Sequence, residues 1–260
     1  PKQGTDAALA MAMGHVILRE FHLDRQSPYF TDYCRRYTDM PLLVKLVKRD
    51  GRYVPDRFVR ASDFDGNLAQ ANNPAWKTVG VDRLSGRIVA PNGSVGFRWN
   101  QKPGEDLGKW NIEQKDGATG ADVELELSLI GIRDEVAAVA FPYFGGIATP
   151  NFNANDQSTD VLVRNVPAKR LQLADGETLV ASVFDLLCAN YGLDRGLGGE
   201  HVARSYEDDI PYTPAWQEPI TGVKAADVIA VARQFADTAD KTNGKSMIII
   251  GAAMNHWYHA

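Results

Sequence analysis

The 260-residue sequence has only two cysteines, Cys34 and Cys188, far apart in the chain. Two thiols cannot ligate an iron–sulfur cluster or staple a disulfide scaffold, so both read as small core residues of a reducing compartment. It has no long hydrophobic run: the most apolar stretch, Met247 to Met254, falls far short of the ~20 residues that a bilayer-crossing helix needs. It has no excess of positive charge. The net charge of −5 speaks against a nucleic-acid binder, and the densest basic stretch, Lys45, Lys48, Arg49 and Arg52, is interrupted by Asp50 and reads as a solvated loop. No Gly-x-Gly-x-x-Gly follows a strand and no phosphate-loop Lys-Ser/Thr is present. Gly93-Ser94-Val95-Gly96 lacks the spacing of a nucleophile elbow. His256 and His259 have no cysteine or carboxylate near them in sequence, so no metal site is expected there.

What is present belongs to an ordinary globular chain, with 44% hydrophobic and 23% charged residues and enough length for one large domain or two small ones. The first helix is signalled by Thr5 as cap, Asp6 in the first turn, and Leu9, Met13, Val16 and Ile17 at helical spacing. A second has Ser27 as cap and Pro28 at the first helical position, carries Tyr29, Phe30, Tyr33 and Tyr37, and stops at Pro41. His15 reads as a hydrogen-bonded core or rim histidine rather than a ligand.

From about Leu42 to Asp175 turn signals become dense, among them Asp50-Gly51, Asn72-Asn73-Pro74, Ser85-Gly86 and Asp116-Gly117. The alternation in Val123 to Leu129 predicts a half-buried strand. Leu179, Val183, Phe184, Leu187 and Tyr191 suggest a further helix stopped by Gly192, and Val228, Ile229, Ala232, Phe235 and Ala236 another. Met247 to Ile250 then reads as a buried-type strand, and the helix–strand order suggests an open α/β layer. The expected organisation is therefore α/β: a helical segment over residues 1–44, a β-rich, loop-rich region over 45–175, and an α/β segment over 176–260. Pro1 stands where an initiator methionine or signal peptide is expected, and a strand such as Met247–Ile250 needs neighbours on both sides, so both ends read as cuts.

Two stretches carry a resemblance. Pro1-Lys2-Gln3-Gly4-Thr5-Asp6 leading into an alanine-rich helix, and Ile248-Ile249-Ile250-Gly251-Ala252-Ala253-Met254-Asn255-His256, together resemble the molybdopterin oxidoreductase family of dimethyl sulfoxide reductases, formate dehydrogenases and nitrate reductases. Tyr37-Thr38-Asp39-Met40-Pro41, Ala90-Pro91-Asn92-Gly93-Ser94, Phe141-Pro142-Tyr143-Phe144-Gly145-Gly146, Arg170 to Gly176 and Tyr212-Thr213-Pro214-Ala215-Trp216 narrow the likeness to the large subunit of membrane-bound nitrate reductases.

The resemblance implies a fragment of a multidomain enzyme that reduces nitrate at molybdenum held by two molybdopterin guanine dinucleotides. Electrons come from quinol through [4Fe-4S] clusters, an iron–sulfur beta subunit and a cytochrome b gamma subunit, at the cytoplasmic face of the membrane. It implies cofactor contacts from Gln3, Thr5, Asp6, Gly251, Asn255 and His256, and no catalytic or metal-ligating residue in this chain. Ala253 departs from the family, which often has a second glycine there. Guanine offers two adjacent donors that one carboxylate such as Asp6 matches. From spacing alone, capping by Thr5 and dipole complementation by Asp6 are the favoured account of the first motif; the resemblance favours guanine contact by Asp6. A related chlorate or selenate reductase, and a non-catalytic scaffold domain, remain the other readings.

Overall fold

The computed structural model describes residues 1–92, 114–142 and 161–249. Helices lie at both ends and a mixed sheet lies between them, so the chain is mixed α/β. The helices are α1 (Asp6–Ile17), continued by a π-helical stretch Leu18–Asp24, α2 (Pro28–Tyr37), α3 (Val183–Asn190), α4 (Pro214–Thr221) and α5 (Ala225–Thr242). The strands are β1 (Leu43–Arg49), β2 (Arg52–Phe58), β3 (Gly80–Val81), β4 (Ile88–Val89), β5 (Glu135–Pro142), β6 (Val161–Leu173) and β7 (Gly176–Ser182).

Five strands, nearly all from the region expected to be β-rich, close into a barrel in the order β1-β2-β5-β6-β7. Local chemistry makes two of its joints. Asp50 and Gly51 both adopt positive φ, 50° and 78°, so β1 and β2 meet in the tight turn whose twist matches a hairpin. Ala174 and Asp175 turn β6 into β7, closed by the pair Leu173↔Gly176. Closure itself is non-local: β1 pairs β7 from Leu43↔Ser182 to Leu46↔Leu179, and β2 meets β5 in parallel at Tyr53↔Val139. Leu179 therefore belongs to a strand, not to the helix its spacing suggested.

Alternate residues line the inside. Val44 and Leu46, Ala137, Val139 and Phe141, Leu162, Val166 and Ala168, and Leu179 and Ala181 form one buried cluster, closed by Leu186 and Ala189 of α3. The opposite side of the same strands packs a second cluster, with Leu43, Leu171, Leu173 and Val180 against Val59, Ala61, Val79, Val81, Ala90 and Leu129. Residues 123–129 keep the expected burial alternation but form one isolated bridge, Asp82↔Leu125, not a ladder. Met247 to Ile249 also departs from expectation. These residues are exposed and not in a strand, because a strand requires a hydrogen-bonding neighbour and none lies beside them among the described residues.

One inward position on β6 is charged. Arg164, 2% exposed, falls in register between Leu162 and Val166. Its guanidinium donates to the carbonyls of Ala189 (2.8 Å) and Asn190 (2.7 Å) at the end of α3, and to those of Glu200 (3.0 Å) and His201 (2.7 Å). The cation thus meets the carbonyl end of a helix that seals the barrel.

A second buried charge fixes the other end of α3. Ser182 caps the helix, its hydroxyl accepting from the Asp185 N–H. The fully buried Asp185 carboxylate accepts from Ser128 Oγ (2.7 Å), Leu129 N (2.7 Å), Ser182 Oγ (2.9 Å) and Arg195 (2.6 Å). Asp185→Asn strands the Arg195 cation and turns an amide donor toward these donors. We expect a loss of about 3–5 kcal/mol, read as a fall of roughly 6 °C or more in unfolding temperature. Glu135→Gln, at an exposed pair with Arg170, should cost no more than about 1 kcal/mol. Equal effects of the two substitutions in thermal unfolding would refute the buried-network account.

Candidate functional site

The N-terminal turn that precedes α1 is held from outside itself. Lys2 N donates to the Thr221 carbonyl (2.8 Å) and Lys2 Nζ to the Pro219 carbonyl (3.0 Å), so a cation and an amide satisfy the carbonyl end of α4. Helix α4 is itself sharply bounded. Thr213 Oγ1 accepts from Trp216 N (3.2 Å), Pro214 occupies the first turn, and Gly222 ends the helix at φ 74°. Buried Gln217 closes the far end, donating to Pro214 and Val223 carbonyls while its Oε1 accepts from Thr221 Oγ1.

On this base Gly4 takes φ 74°, a left-handed conformation in which a side chain would be strained, and reverses the chain into α1. Thr5 sits at the N-cap position, yet its hydroxyl donates back to the Lys2 carbonyl (2.5 Å) and makes no cap bond. Capping by Thr5 is thus corrected: the tight turn offers a nearer carbonyl than the helix offers an N–H. Ser27 behaves alike, occupying the N-cap position of α2 while its hydroxyl donates to Asp240 Oδ1. Gln3 and Asp6 are exposed and make no hydrogen bond or ion pair among the described residues. The structure therefore brings Gln3, Thr5 and Asp6 together on one anchored turn. Gly251, Asn255 and His256, with Ala253 and His259, lie outside the described residues.

Helix α1 packs against α4 and α5, and Gly14 permits a close crossing with Tyr191: a Cβ there would lie 2.9 Å from the Tyr191 hydroxyl. That hydroxyl donates to Met11 Sδ at 3.2 Å. His15 is fully buried, as a core histidine should be. Its Nδ1 donates to the Tyr191 carbonyl (3.1 Å), and its Nε2 has no protein partner among the described residues. Burial pushes His15 down to about 4 against the favourable backbone bond, with Arg19 and Arg164 adding repulsion. In the π-helical stretch, Glu20 accepts from Arg233 (2.7 Å) and Tyr206 (2.9 Å). Burial opposes its ionisation, but these bonds hold its carboxyl below the usual range. His22 packs beside Phe30, Phe184 and Cys34, and burial pushes it down to about 4. Cys34 and Cys188 are buried and free, with both thiols pushed up to about 12 by burial. They are inert core residues, as expected.

Sequence reasoning missed Lys2, Thr221 and Gln217, which set the turn, and Arg164, Asp185 and Arg195, which set the barrel end. The signals for α4 were legible as Thr213-Pro214 and Gly222. Those for the buried charges were not, because their partners lie up to 67 residues away.

The described geometry defines a mixed α/β unit that presents an anchored turn of unengaged polar side chains. Among the described residues no group of three or more metal-ligating side chains occurs, and no helix is long and apolar enough to cross a membrane. No family model matches the chain. Whole proteins do. It is 60% identical over its full length to the respiratory nitrate reductase 1 alpha chain of Escherichia coli K12, of which it spans 20%. It is 43% identical over its full length to the nitrate reductase alpha chain of Bacillus subtilis 168, again spanning 20%. A more distant relative, 26% identical over the full chain, is the perchlorate reductase subunit alpha of Dechloromonas aromatica. The chain thus matches, end to end, a stretch of nitrate reductase alpha chains that makes up about a fifth of their length.

Buried His15 and half-buried His22 generate a pH dependence. Both sit at about 4 in the folded state against an ordinary value of 6.5. Between these values the unfolded chain binds protons that the folded chain does not. Stability is therefore complete above about pH 6.5 and falls as the pH drops toward 4, by about 1.4 kcal/mol per pH unit for each histidine. Asp63, lowered from 3.8 to about 2, acts in a separate, lower window. Unfolding free energies measured at pH 7, 6 and 5 should show the slope, and His22→Leu should lessen it. A flat profile above pH 5 would contradict the burial of these rings.

Proposed function

We propose that this chain is a segment of the catalytic alpha subunit of a nitrate reductase, an oxidoreductase that reduces nitrate to nitrite. The observation that carries this reading is the 60% identity along the whole chain to the Escherichia coli alpha chain. The holoenzyme would hold molybdenum in two molybdopterin guanine dinucleotides and a [4Fe-4S] cluster. It would receive electrons from quinol through an iron–sulfur beta subunit and a cytochrome b gamma subunit, and so lie at the cytoplasmic face of the membrane. The perchlorate reductase relative favours, as second reading, an enzyme acting on another oxyanion.

The donor set at the N-terminal turn fits a nucleotide. Gln3 and Asp6 are exposed beside the anchor provided by Lys2 and α4, and neither makes a hydrogen bond or ion pair among the described residues. The guanine dinucleotide cofactor supplies the redox chemistry when bound; this chain binds and orients. Asp6 accepts from the two adjacent guanine donors, Gln3 adds an amide contact, and the Thr5 hydroxyl rigidifies the turn from which both project. Gly251, Asn255 and His256 would form the second contact, small residues allowing backbone approach.

Two outcomes test this. The 260 residues alone should show no nitrate reduction with artificial electron donors and no bound molybdenum; reproducible turnover would overturn the segment reading. In the holoenzyme, Asp6→Ala removes charge-assisted bonds of about 1.5–3 kcal/mol each, so guanine dinucleotide content per subunit should drop. Asp6→Asn should also lower it, because a donor then faces guanine's donors. Were Asp6 only a helix-dipole residue, Asp6→Asn would cost about 0.3–1 kcal/mol of stability and leave cofactor loading intact.

A further inference from the structure

Lys2 uses every polar group it has. Its backbone N–H donates to the Thr221 carbonyl (2.8 Å), its ammonium donates to the Pro219 carbonyl (3.0 Å), and its own carbonyl accepts from the Thr5 hydroxyl (2.5 Å). Its stem crosses the end of α4, where a Cβ added at Gly222 would lie 3.6 Å from Lys2 Cε. Gln3 and Asp6, in the same turn, are exposed and make no hydrogen bond or ion pair among the described residues. One residue of the turn is therefore fully engaged with the protein, and its neighbours keep their polar groups for something else.

The seat that Lys2 occupies is built to receive a cation. At the end of α4 the Gly222 N–H takes the Glu218 carbonyl (2.8 Å), and Lys2 takes those of Pro219 and Thr221. These last-turn carbonyls carry the negative end of the helix dipole, which favours an ammonium. Fully buried Gln217 holds the same turn from inside, through the Pro214 and Val223 carbonyls and the Thr221 hydroxyl. Lys2 thus makes two bonds to a braced helix end, which fix both the place and the direction of the chain as it enters Gln3. The positive φ of Gly4 and the Thr5 bond carry that placement to Asp6, the first residue of α1.

We propose that Lys2 is a positioning residue of the guanine-reading turn: its ammonium, seated on the Pro219 carbonyl, holds the Asp6 carboxylate in the alignment that two adjacent guanine donors require. Lys2 acts through Asp6 and does not itself contact the nucleotide. The proposal rests on the reading of this turn as a guanine dinucleotide contact. A paired acceptor is sensitive to placement, because both bonds weaken steeply as their angles close. The backbone bond from Lys2 to Thr221 survives any substitution except proline, so the part played by the ammonium can be isolated. Lys2→Met keeps a stem of similar length over Gly222 and removes the donor. Lys2→Arg keeps a cationic donor for the carbonyl.

The test is a double-mutant cycle in the holoenzyme. Lys2→Met, Lys2→Arg, Asp6→Ala and the pair Lys2→Met with Asp6→Ala are incubated well below their unfolding temperatures, and the guanine dinucleotide remaining on each subunit is measured over time. We expect Lys2→Met to lose it roughly threefold to tenfold faster than the wild type, the weight of one hydrogen bond, and Lys2→Arg to stay within about twofold of the wild type. The paired variant should lose it no faster than Asp6→Ala alone, because a residue that acts through Asp6 has nothing left to position. A wild-type rate for Lys2→Met, with or without a lower unfolding temperature, would make Lys2 a structural residue only and overturn the proposal. So would Lys2→Arg behaving like Lys2→Met, or effects that multiply in the paired variant. A wild-type rate for Asp6→Ala would instead remove the guanine reading itself, whereas rapid loss in Asp6→Ala beside an unaffected Lys2→Met would remove only the positioning role.

Discussion

Arg164 is a cation placed where the barrel alternation calls for a side chain in the core, between Leu162 and Val166. A buried guanidinium is tolerable only when its donors are filled, and here four backbone carbonyls from α3 and the 200–201 loop fill them. This constraint ties three things into one unit. Strand β6 must keep its register for Arg164 to face inward. Helix α3 must end at Asn190 for its carbonyls to be free, and the chain after Gly192 must return across β6, which it does at the Arg164↔Gly199 bridge. Asp185 and Arg195 complete the arrangement from the other end of the same helix, binding Ser128 and Leu129 of the second core.

The rigid barrel end carries the helical layer. Tyr191, just past α3, receives His15 on its backbone and Gly14 against its ring, so α1 is located by the same short segment that Arg164 fixes. Arg233 and Tyr206 on Glu20 then bind the π-helical continuation of α1 to α5. The N-terminal turn is held last, by Lys2 on the carbonyl end of α4. Gln3 and Asp6 are thereby positioned by a chain of contacts reaching back to the barrel, although neither residue takes part in it. That suits side chains kept available for a ligand, since a site is more sharply defined when its support is packed and its own polar groups are unspent.

The candidate site was legible in part. Gly4 before Thr5-Asp6 and an apolar-periodic run announced a turn into a helix, and the turn is there. The role given to Thr5 was not legible, because its hydroxyl chooses between a helix N–H and the Lys2 carbonyl, and the docking of Lys2 on α4 decides that choice. Ser27 went the same way, drawn to Asp240 more than two hundred residues later.

By itself the sequence determined what depends on neighbours along the chain. It set the Asp50-Gly51 hairpin, the helices opened by Pro28 and stopped by Gly192, the burial alternation of residues 123–129, and the core placement of Cys34 and Cys188. The tertiary structure decided whatever requires a distant partner. Closure of the sheet needed β1 beside β7, more than a hundred residues apart, which no local periodicity encodes. Leu179 became a strand residue because Leu46 lies opposite it, whereas Met247 to Ile249, equally apolar, have no strand neighbour among the described residues. Backbone hydrogen bonds in a sheet are made between segments, so strand propensity is only an offer that the fold accepts or declines.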